Sequence, residues 1–132
     1  MPMNKILLIS ADDSMTASIT SSLSEAGFKA IHSARGKGAL DLIQDEQPDA
    51  VILDIDLPDY NSLAIIRALR SDNPGSQLPI VLFGSNMKEA DVLIGLEIGA
   101  DLCLREAFHP PVFIARLRSL LRRYGTISYH QL

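Results

Sequence analysis

The most reactive position that the sequence suggests is an aspartate at the end of an apolar run. Asp54 closes the run 50–54, and Asp56 follows two residues later. A carboxylate at the end of a buried strand costs free energy unless it has a partner or a chemical task. Asp54 is therefore the leading candidate for a functional residue. The alternative is a structural one, in which the side chain caps the loop that follows the strand.

A second polar group follows the apolar run 5–9. Its members are Ser10, Ala11, Asp12 and Asp13. In open sheets of parallel strands, ligands bind beyond the carboxyl ends of the strands, where the strand order reverses. If the first strand is central, this group and Asp54 meet at that edge. The sequence thus predicts one site built from both segments.

The elements that must position this site alternate along the chain. Short apolar runs predict strands at 5–9, 28–31, 50–54, 80–83 and 102–104. The first predicted helix carries Met15, Ile19 and Leu23 at helical spacing and ends at Gly27, and the others cover 36–46, 62–70, 88–98 and 110–124. Strands that are apolar throughout are buried on both faces. This pattern favours a parallel sheet with helices on both sides.

Composition excludes several classes of protein. The 132 residues carry a net charge of −4, which argues against a domain built mainly to wrap nucleic acid. The single cysteine, Cys103, excludes an intrachain disulfide and a multi-cysteine metal cage. No apolar stretch approaches the roughly 20 residues of a membrane span, and no signal peptide is apparent. We expect a cytoplasmic protein with one domain at 1–124 and a linker or frayed tail at 125–132.

Four stretches together resemble the receiver domain of two-component response regulators and, within that family, the OmpR/PhoB-like transcription factors. They are KILLIS with its following helix, PDAVILDIDLPDYNSL, GLEIGADLCL and ARLRSLLRRYG. The resemblance implies an α/β, flavodoxin-like, doubly wound sheet of five parallel strands in the order 2-1-3-4-5, with five helices. It also implies a regulatory function rather than an enzymatic one.

The family's phosphorylation site is only partly present. In the family, two acidic residues after the first strand hold Mg²⁺, and an aspartate after the third strand accepts the phosphoryl group. Asp54 matches the acceptor, whereas Ser10 and Ala11 stand where the acidic pair belongs. The weak metal set that remains is Asp12, Asp54 and Asp56, and Asp13 could replace Asp12 in a working receiver. We therefore expect no cofactor, and Mg²⁺ only if the phosphorylation site is functional.

The positions that would contact the phosphoryl group also depart from the family. Gly84, followed by Ser85, stands in place of a Thr or Ser, and Glu106 stands in place of a Lys. At an effective dielectric constant near 20, a unit charge about 4 Å away is worth ~4 kcal/mol, and Glu106 reverses its sign. The hypothesis is a degenerate receiver that does not run the normal phosphorylation cycle. Two alternatives stay open: a working receiver that takes phosphate from a histidine kinase at Asp54, and a module whose altered pocket binds a small ligand.

The resemblance further implies a homodimer through the fourth helix, fifth strand and fifth helix. The corresponding apolar patch is Leu93, Leu96 and Ala115. The implied ion pairs are Glu97 with Arg118 and Asp101 with Arg116. At the positions of a third ion pair of the family, this chain has two apolar residues, Val92 and Val112. The alternative is that these valines are half-buried and these charges solvated. The resemblance implies that DNA would be bound only through an output domain that is missing here, and the alternative is a receiver that stands alone.

Overall fold

Five strands and five helices alternate within the residues that the structure, a computed structural model, describes, which are 4–71, 77–105 and 109–125. The strands are β1 (Lys5–Ile9), β2 (Lys29–Ser33), β3 (Ala50–Asp54), β4 (Ile80–Phe83) and β5 (Leu102–Leu104). The helices are α1 (Asp13–Glu25), α2 (Ala39–Glu46), α3 (Ser62–Ser71), α4 (Glu89–Ile98) and α5 (Pro110–Arg123). The predicted Glu106 and the predicted tail from residue 126 onward lie outside the described residues.

All five strands are parallel and form one sheet in the order β2-β1-β3-β4-β5. The chain order reverses between β1 and β3, which are hydrogen-bonded neighbours with Leu8 opposite Ile52. The prediction of a flavodoxin-like sheet of order 2-1-3-4-5 with five helices is confirmed. The carboxyl ends of β1 and β3 form the edge at which such sheets hold ligands.

The sheet is covered on both faces, which explains why its central strands are apolar throughout. One core cluster joins the sheet to α2, α3 and α4, and its members include Leu7, Leu53, Ile66 and Leu82. The other joins the opposite face of the sheet to α1 and α5, and its members include Ile19, Leu23, Phe113 and Leu117. Successive residues of a strand point to opposite faces, so both faces need apolar side chains.

The bounds of two predicted elements were wrong because long-range contacts fix them. The second strand covers Lys29–Ser33 rather than 28–31, since Lys5–Ile9 pairs with it over five positions. The second helix begins at Ala39 rather than residue 36. Gly38 has a φ of +81°, outside the helical region, and the Gly36 amide donates to the Asp59 carboxylate. The Gly99 cap of α4 is confirmed, whereas Ala26 caps α1 and Gly27 follows it at a φ of +89°.

No helix within the described ranges is both long enough and apolar enough to cross a lipid bilayer.

Candidate functional site

Asp54 lies at the carboxyl end of β3, and its side chain is almost entirely buried, with 5% of the residue exposed. Each carboxylate oxygen accepts one hydrogen bond. The Ser10 hydroxyl donates to Oδ2 at 2.9 Å, and the Asp56 amide donates to Oδ1 at 2.8 Å. The sheet therefore brings Ser10 and Asp54 together, as the sequence predicts. Two neutral donors satisfy this carboxylate in the fold.

Ser10 is fixed from several sides. Its residue is fully buried, and its amide donates to the Ser33 carbonyl at 3.0 Å. Its hydroxyl oxygen accepts from the Asp12 amide at 3.2 Å, and its carbonyl lies 2.8 Å from Nε2 of His32. These contacts leave the hydroxyl proton for Asp54. A neutral hydroxyl thus stands where the family has a negatively charged ligand for Mg²⁺.

The two aspartates that follow serve the start of α1. Asp12 is the N-cap of this helix, and its carboxylate accepts from the Met15 amide at 3.1 Å. Such a cap stabilises a helix by about 1 kcal/mol. Asp13 is the first residue of the helix and is exposed, and Ala11 exposes a methyl group that ligates nothing. If the Asp12 carboxylate turned toward Asp54 to bind a metal ion, its capping hydrogen bond to the Met15 amide would be lost.

Asp56 is the acidic residue beside Asp54 in the loop after β3. Burial, followed by the negative charges of Asp54 and Asp91, raises the pKa of its carboxyl above the usual range. The two neighbouring carboxylates, which contribute less to this shift than burial does, would suit a cation. However, no three His, Cys, Asp or Glu side chains among residues 4–71, 77–105 and 109–125 are grouped to hold one. The donor set described here therefore fits Mg²⁺ poorly.

Gly84 follows β4 at the position where the family has a hydroxyl, and the space for a side chain is already filled. A Cβ at Gly84 would lie 2.5 Å from Cγ2 of Ile55 and 3.5 Å from Oδ2 of Asp56. Ile55 is branched at Cβ, so its methyl group cannot swing away cheaply. Ser85 is exposed and makes no hydrogen bond to Asp54. Ile55, which sequence reasoning did not single out, accounts for the glycine.

Two further contacts hold the loop after β3, and neither was anticipated. The Ser62 hydroxyl, at the start of α3, donates to the backbone carbonyl of Asp54. The Asp59 carboxylate accepts from the amides of Gly36 and Lys37 at 3.0 Å each. These bonds lower the pKa of Asp59. The loop is thereby tied to the segment that follows β2.

A cavity of about 670 Å³ lies near this edge, between α1, α5 and the ends of β4 and β5. Gly84 and Ser85 border it together with Cys103, Arg105 and several apolar side chains. Asp54 and Ser10 are not part of its lining. The cavity is thus separate from the Asp54 carboxylate.

The predicted dimer face exposes apolar side chains on two helices. Leu93 and Leu96 of α4 are 57% and 45% exposed, and Val112 of α5 is 49% exposed. Ala115 is exposed as well, whereas Val92 packs against the core cluster beneath α4. We call the exposed residues of α4 and α5 on this side, Leu93, Leu96, Glu97, Val112, Ala115 and Arg116, the α4–α5 face. Val92 is therefore less exposed than Val112, so the two valines are not the matched exposed pair that the sequence suggested.

Two of the charged residues predicted for this face have partners inside the chain. Asp101 accepts from Arg70 and from the Ile80 amide on Oδ2, both at 2.8 Å, and from the Tyr124 hydroxyl on Oδ1 at 2.6 Å. Arg118 donates to the Ala26 carbonyl at 3.2 Å. Arg70 and Tyr124 were not anticipated, because nothing in their local sequence indicates this contact.

Comparison with known proteins gives the same assignment at three levels. The family model for the response regulator receiver domain matches residues 6–118. The chain is 36% identical over 121 residues to the transcriptional regulatory protein CpxR of Escherichia coli K12, covering 92% of this chain and 50% of that protein. It is 36% identical over 119 residues to the DNA-binding response regulator MtrA of Mycolicibacterium smegmatis, covering 90% of this chain and 51% of that protein. The chain spans about half the length of these curated relatives.

Solved structures share the fold. A putative response regulator from Chloroflexus aurantiacus superposes with a TM-score of 0.87 at 26% identity, over 92% of this chain and all of that one. The BeF3-activated N-terminal receiver domain of Klebsiella pneumoniae RstA gives a TM-score of 0.83 at 34% identity, over 90% of this chain and 99% of that one. With its relatives among OmpR/PhoB-type transcriptional regulators, the chain belongs to the family of response regulator receiver domains of two-component systems.

Proposed function

We propose that this receiver domain is a non-enzymatic interaction module that signals by self-association and that does not run the usual Mg²⁺-dependent phosphorylation cycle at Asp54. The observation that carries the proposal is the hydrogen bond from the buried Ser10 hydroxyl to Asp54, in place of a second carboxylate. Asp12 is the acidic residue nearest to Ser10 along the chain, and its carboxylate already accepts the Met15 amide at the start of α1. The site therefore has little to offer a divalent cation.

The electrostatics of the phosphoryl step support this proposal. A phosphoryl group on Asp54 would add negative charge beside Asp56, whose pKa is already raised by burial and then by the charges of Asp54 and Asp91. Receivers of this family offset that charge with a metal ion, a hydroxyl and a lysine. Here the hydroxyl position is Gly84, whose side-chain space Ile55 fills. Transferring phosphoryl groups need such preorganised partners, and the described residues of this site supply few of them.

Self-association is supported by the α4–α5 face. α4 is apolar on most sides, yet Gly95 is its one buried residue. A helix of that composition is normally covered. Three apolar residues of this face are exposed: Leu93, Leu96 and Val112. In a symmetric dimer the same face of a second copy would cover them, so they would be buried in both copies. We propose a transcriptional output for this signalling, since two longer relatives are named a transcriptional regulatory protein and a DNA-binding response regulator.

The second candidate function is a working phosphoacceptor that a histidine kinase supplies. The position of Asp54 favours it, since the carboxylate lies at the end of β3 with Asp56 beside it. The likeness to the BeF3-activated receiver domain of RstA points in the same direction.

Intact-mass spectrometry after incubation with acetyl phosphate and Mg²⁺ separates the two candidates. We expect less than about a tenth of the chain to gain a phosphoryl group, with Asp54→Asn as the blank. Labelling that approaches one group per chain and disappears in Asp54→Asn would establish the second candidate and refute the first.

Sedimentation velocity tests self-association. We expect the wild-type chain to dimerise with rising concentration and Leu93→Asp to remain monomeric. Leu40→Asp is the matched control, because Leu40 is another exposed leucine and lies on α2, away from the α4–α5 face. Equal self-association of wild type and Leu93→Asp would exclude this face.

A further inference from the structure

The cavity between α1, α5 and the ends of β4 and β5 has the size of a small-molecule site. Its volume is about 670 Å³, and ligand pockets in proteins span roughly 300–1,000 Å³. Ile19 of α1 and Phe83 of β4 belong to the core cluster on this face of the sheet, and both border the cavity. Met15 and Leu104, which pack against the same cluster and are partly buried, border it as well. These side chains give the cavity an apolar interior.

Three side chains that can donate hydrogen bonds to an anion border the same cavity. They are Arg105, directly after β5, His109, which precedes α5, and Arg116 on α5, and all three residues are exposed. Among residues 4–71, 77–105 and 109–125, none of these side chains has a hydrogen-bond or ion-pair partner. No Asp or Glu of those ranges borders the cavity. Two guanidinium groups therefore border an apolar cavity without a described counterion.

The start of α5 contributes few backbone donors to an anion. The helix begins with Pro110 and Pro111, and proline has no backbone N–H. The Phe113 amide already donates to the His109 carbonyl at 2.9 Å. An anion in this cavity would therefore depend on the arginine side chains rather than on the amides of the helix.

We infer that this cavity binds a small amphipathic anion, a molecule with an aromatic or aliphatic body and one carboxylate or sulfonate group. The body would contact the apolar interior, and the anionic group would accept hydrogen bonds from Arg105 and Arg116, because guanidinium groups bind such anions with paired, charge-assisted bonds. A neutral apolar molecule would gain nothing from the guanidinium groups, and an inorganic anion would leave the apolar interior in contact with water. Asp54 and Ser10 do not border the cavity, so such binding would not require a working phosphorylation site.

Methyl NMR of the chain labelled at its methionine methyl groups tests the site. The probe is 8-anilinonaphthalene-1-sulfonate, which carries an aromatic body and one sulfonate. Met15 borders the cavity, whereas Met87 is buried in the core cluster on the opposite face of the sheet and is the internal control. We expect a saturable shift of the Met15 methyl resonance and no shift of Met87. Two matched probes test the chemistry: N-phenyl-1-naphthylamine, which has the same rings without the sulfonate, and inorganic sulfate. The neutral probe should bind at least about tenfold more weakly, and sulfate should leave the Met15 resonance in place.

Arginine variants test the contact with the anionic group. Arg105→Ala and Arg116→Ala should each weaken binding of the sulfonate probe about tenfold, because each removes a charge-assisted donor, and should change binding of the neutral probe by less than about threefold. Arg123→Ala is the matched control, since Arg123 is another exposed arginine of α5 and does not border the cavity. Glu106 follows Arg105 along the chain, and Glu106→Gln should not weaken binding of the sulfonate probe. A clear loss of binding in Glu106→Gln would mean that an acidic residue belongs to the site and would refute an anion as its ligand.

The titration is repeated in Leu93→Asp, because Val112 and Arg116 border the cavity and also belong to the α4–α5 face. We expect equal affinity in Leu93→Asp and in the wild type. An unmoved Met15 resonance, a Met87 shift as large as that of Met15, or loss of binding in Leu93→Asp would overturn the cavity as the site. Equal affinities for the neutral and the sulfonate probe, unchanged by the arginine variants, would overturn the anionic class of ligand. None of these results depends on the labelling of Asp54 by acetyl phosphate, so failure of the ligand site and failure of the proposed function are distinguishable.

Discussion

Replacing Asp101 by Ala tests whether this carboxylate is a structural tie. It joins three elements: Arg70 at the end of α3, the Ile80 amide at the start of β4, and Tyr124 directly after α5. The Ile80 residue is fully buried, so its amide would lose its acceptor without gaining water. That loss alone costs about 1–3 kcal/mol. Arg70 keeps its bonds to the Gly99 and Leu78 carbonyls, which limits the penalty on its charge.

Breaking a fully buried ion pair costs about 3–5 kcal/mol, and the partial exposure of this pair lowers that figure. We therefore expect Asp101→Ala to lower the free energy of unfolding by about 2–4 kcal/mol, a large share of the 5–15 kcal/mol typical of a domain. Guanidinium unfolding followed by circular dichroism measures it. Asp45→Ala, at an exposed position of α2, is the control and should stay within about 0.5 kcal/mol of wild type. A loss below about 1 kcal/mol in Asp101→Ala would refute the structural role.

Three further predictions concern backbone fit and pH. Gly84→Thr, which restores the family's hydroxyl, should destabilise the chain by about 1–3 kcal/mol in the same unfolding assay, because its Cβ meets Ile55; a neutral or stabilising effect would contradict the close contact. Gly95→Ala should lower the free energy of unfolding by a similar amount, since its Cβ would lie 2.7 Å from Cδ2 of the buried Leu82; an unchanged free energy of unfolding would show that the core rearranges to accept the methyl group. The lowered pKa of Asp59 means that its stabilising contribution is present above the ordinary carboxyl pKa of about 4 and is lost as the pH falls through the lower, folded value. The midpoint of thermal unfolding should therefore fall less between pH 5 and pH 3 in Asp59→Asn than in wild type, and identical pH profiles would exclude this linkage.

Much of the fold followed from periodicity alone. The bounds of β1, β3, β4 and β5 were predicted correctly, because buried parallel strands are short apolar runs between breakers. The start of α2 was not, because it depends on the bond between Gly36 and Asp59, 23 positions apart. Local sequence does not encode such a contact.

The candidate site was predicted in its place but not in its bonding. The alternation of strands and helices placed Ser10 and Asp54 at one edge of the sheet, and the structure joins them by a hydrogen bond across 44 positions. The capping role of Asp12 follows from local sequence and could have been anticipated. The filling of the Gly84 space by Ile55 and the partners of Asp101 depend on side-chain packing between distant segments. Periodicity gives no information about such packing.

The central claim, that the Asp54 site does not respond to a phosphoryl group, is tested most directly by a backbone NMR titration with Mg²⁺ and then with beryllofluoride, an analogue of the acyl phosphate. Asp54→Asn provides the matched control. We predict that the amide resonances of β3, of the following loop and of α4 move no more in the wild type than in Asp54→Asn. Shifts that require Asp54 and extend from its neighbours to residues 92–101 would contradict the account and identify a working phosphorylation switch.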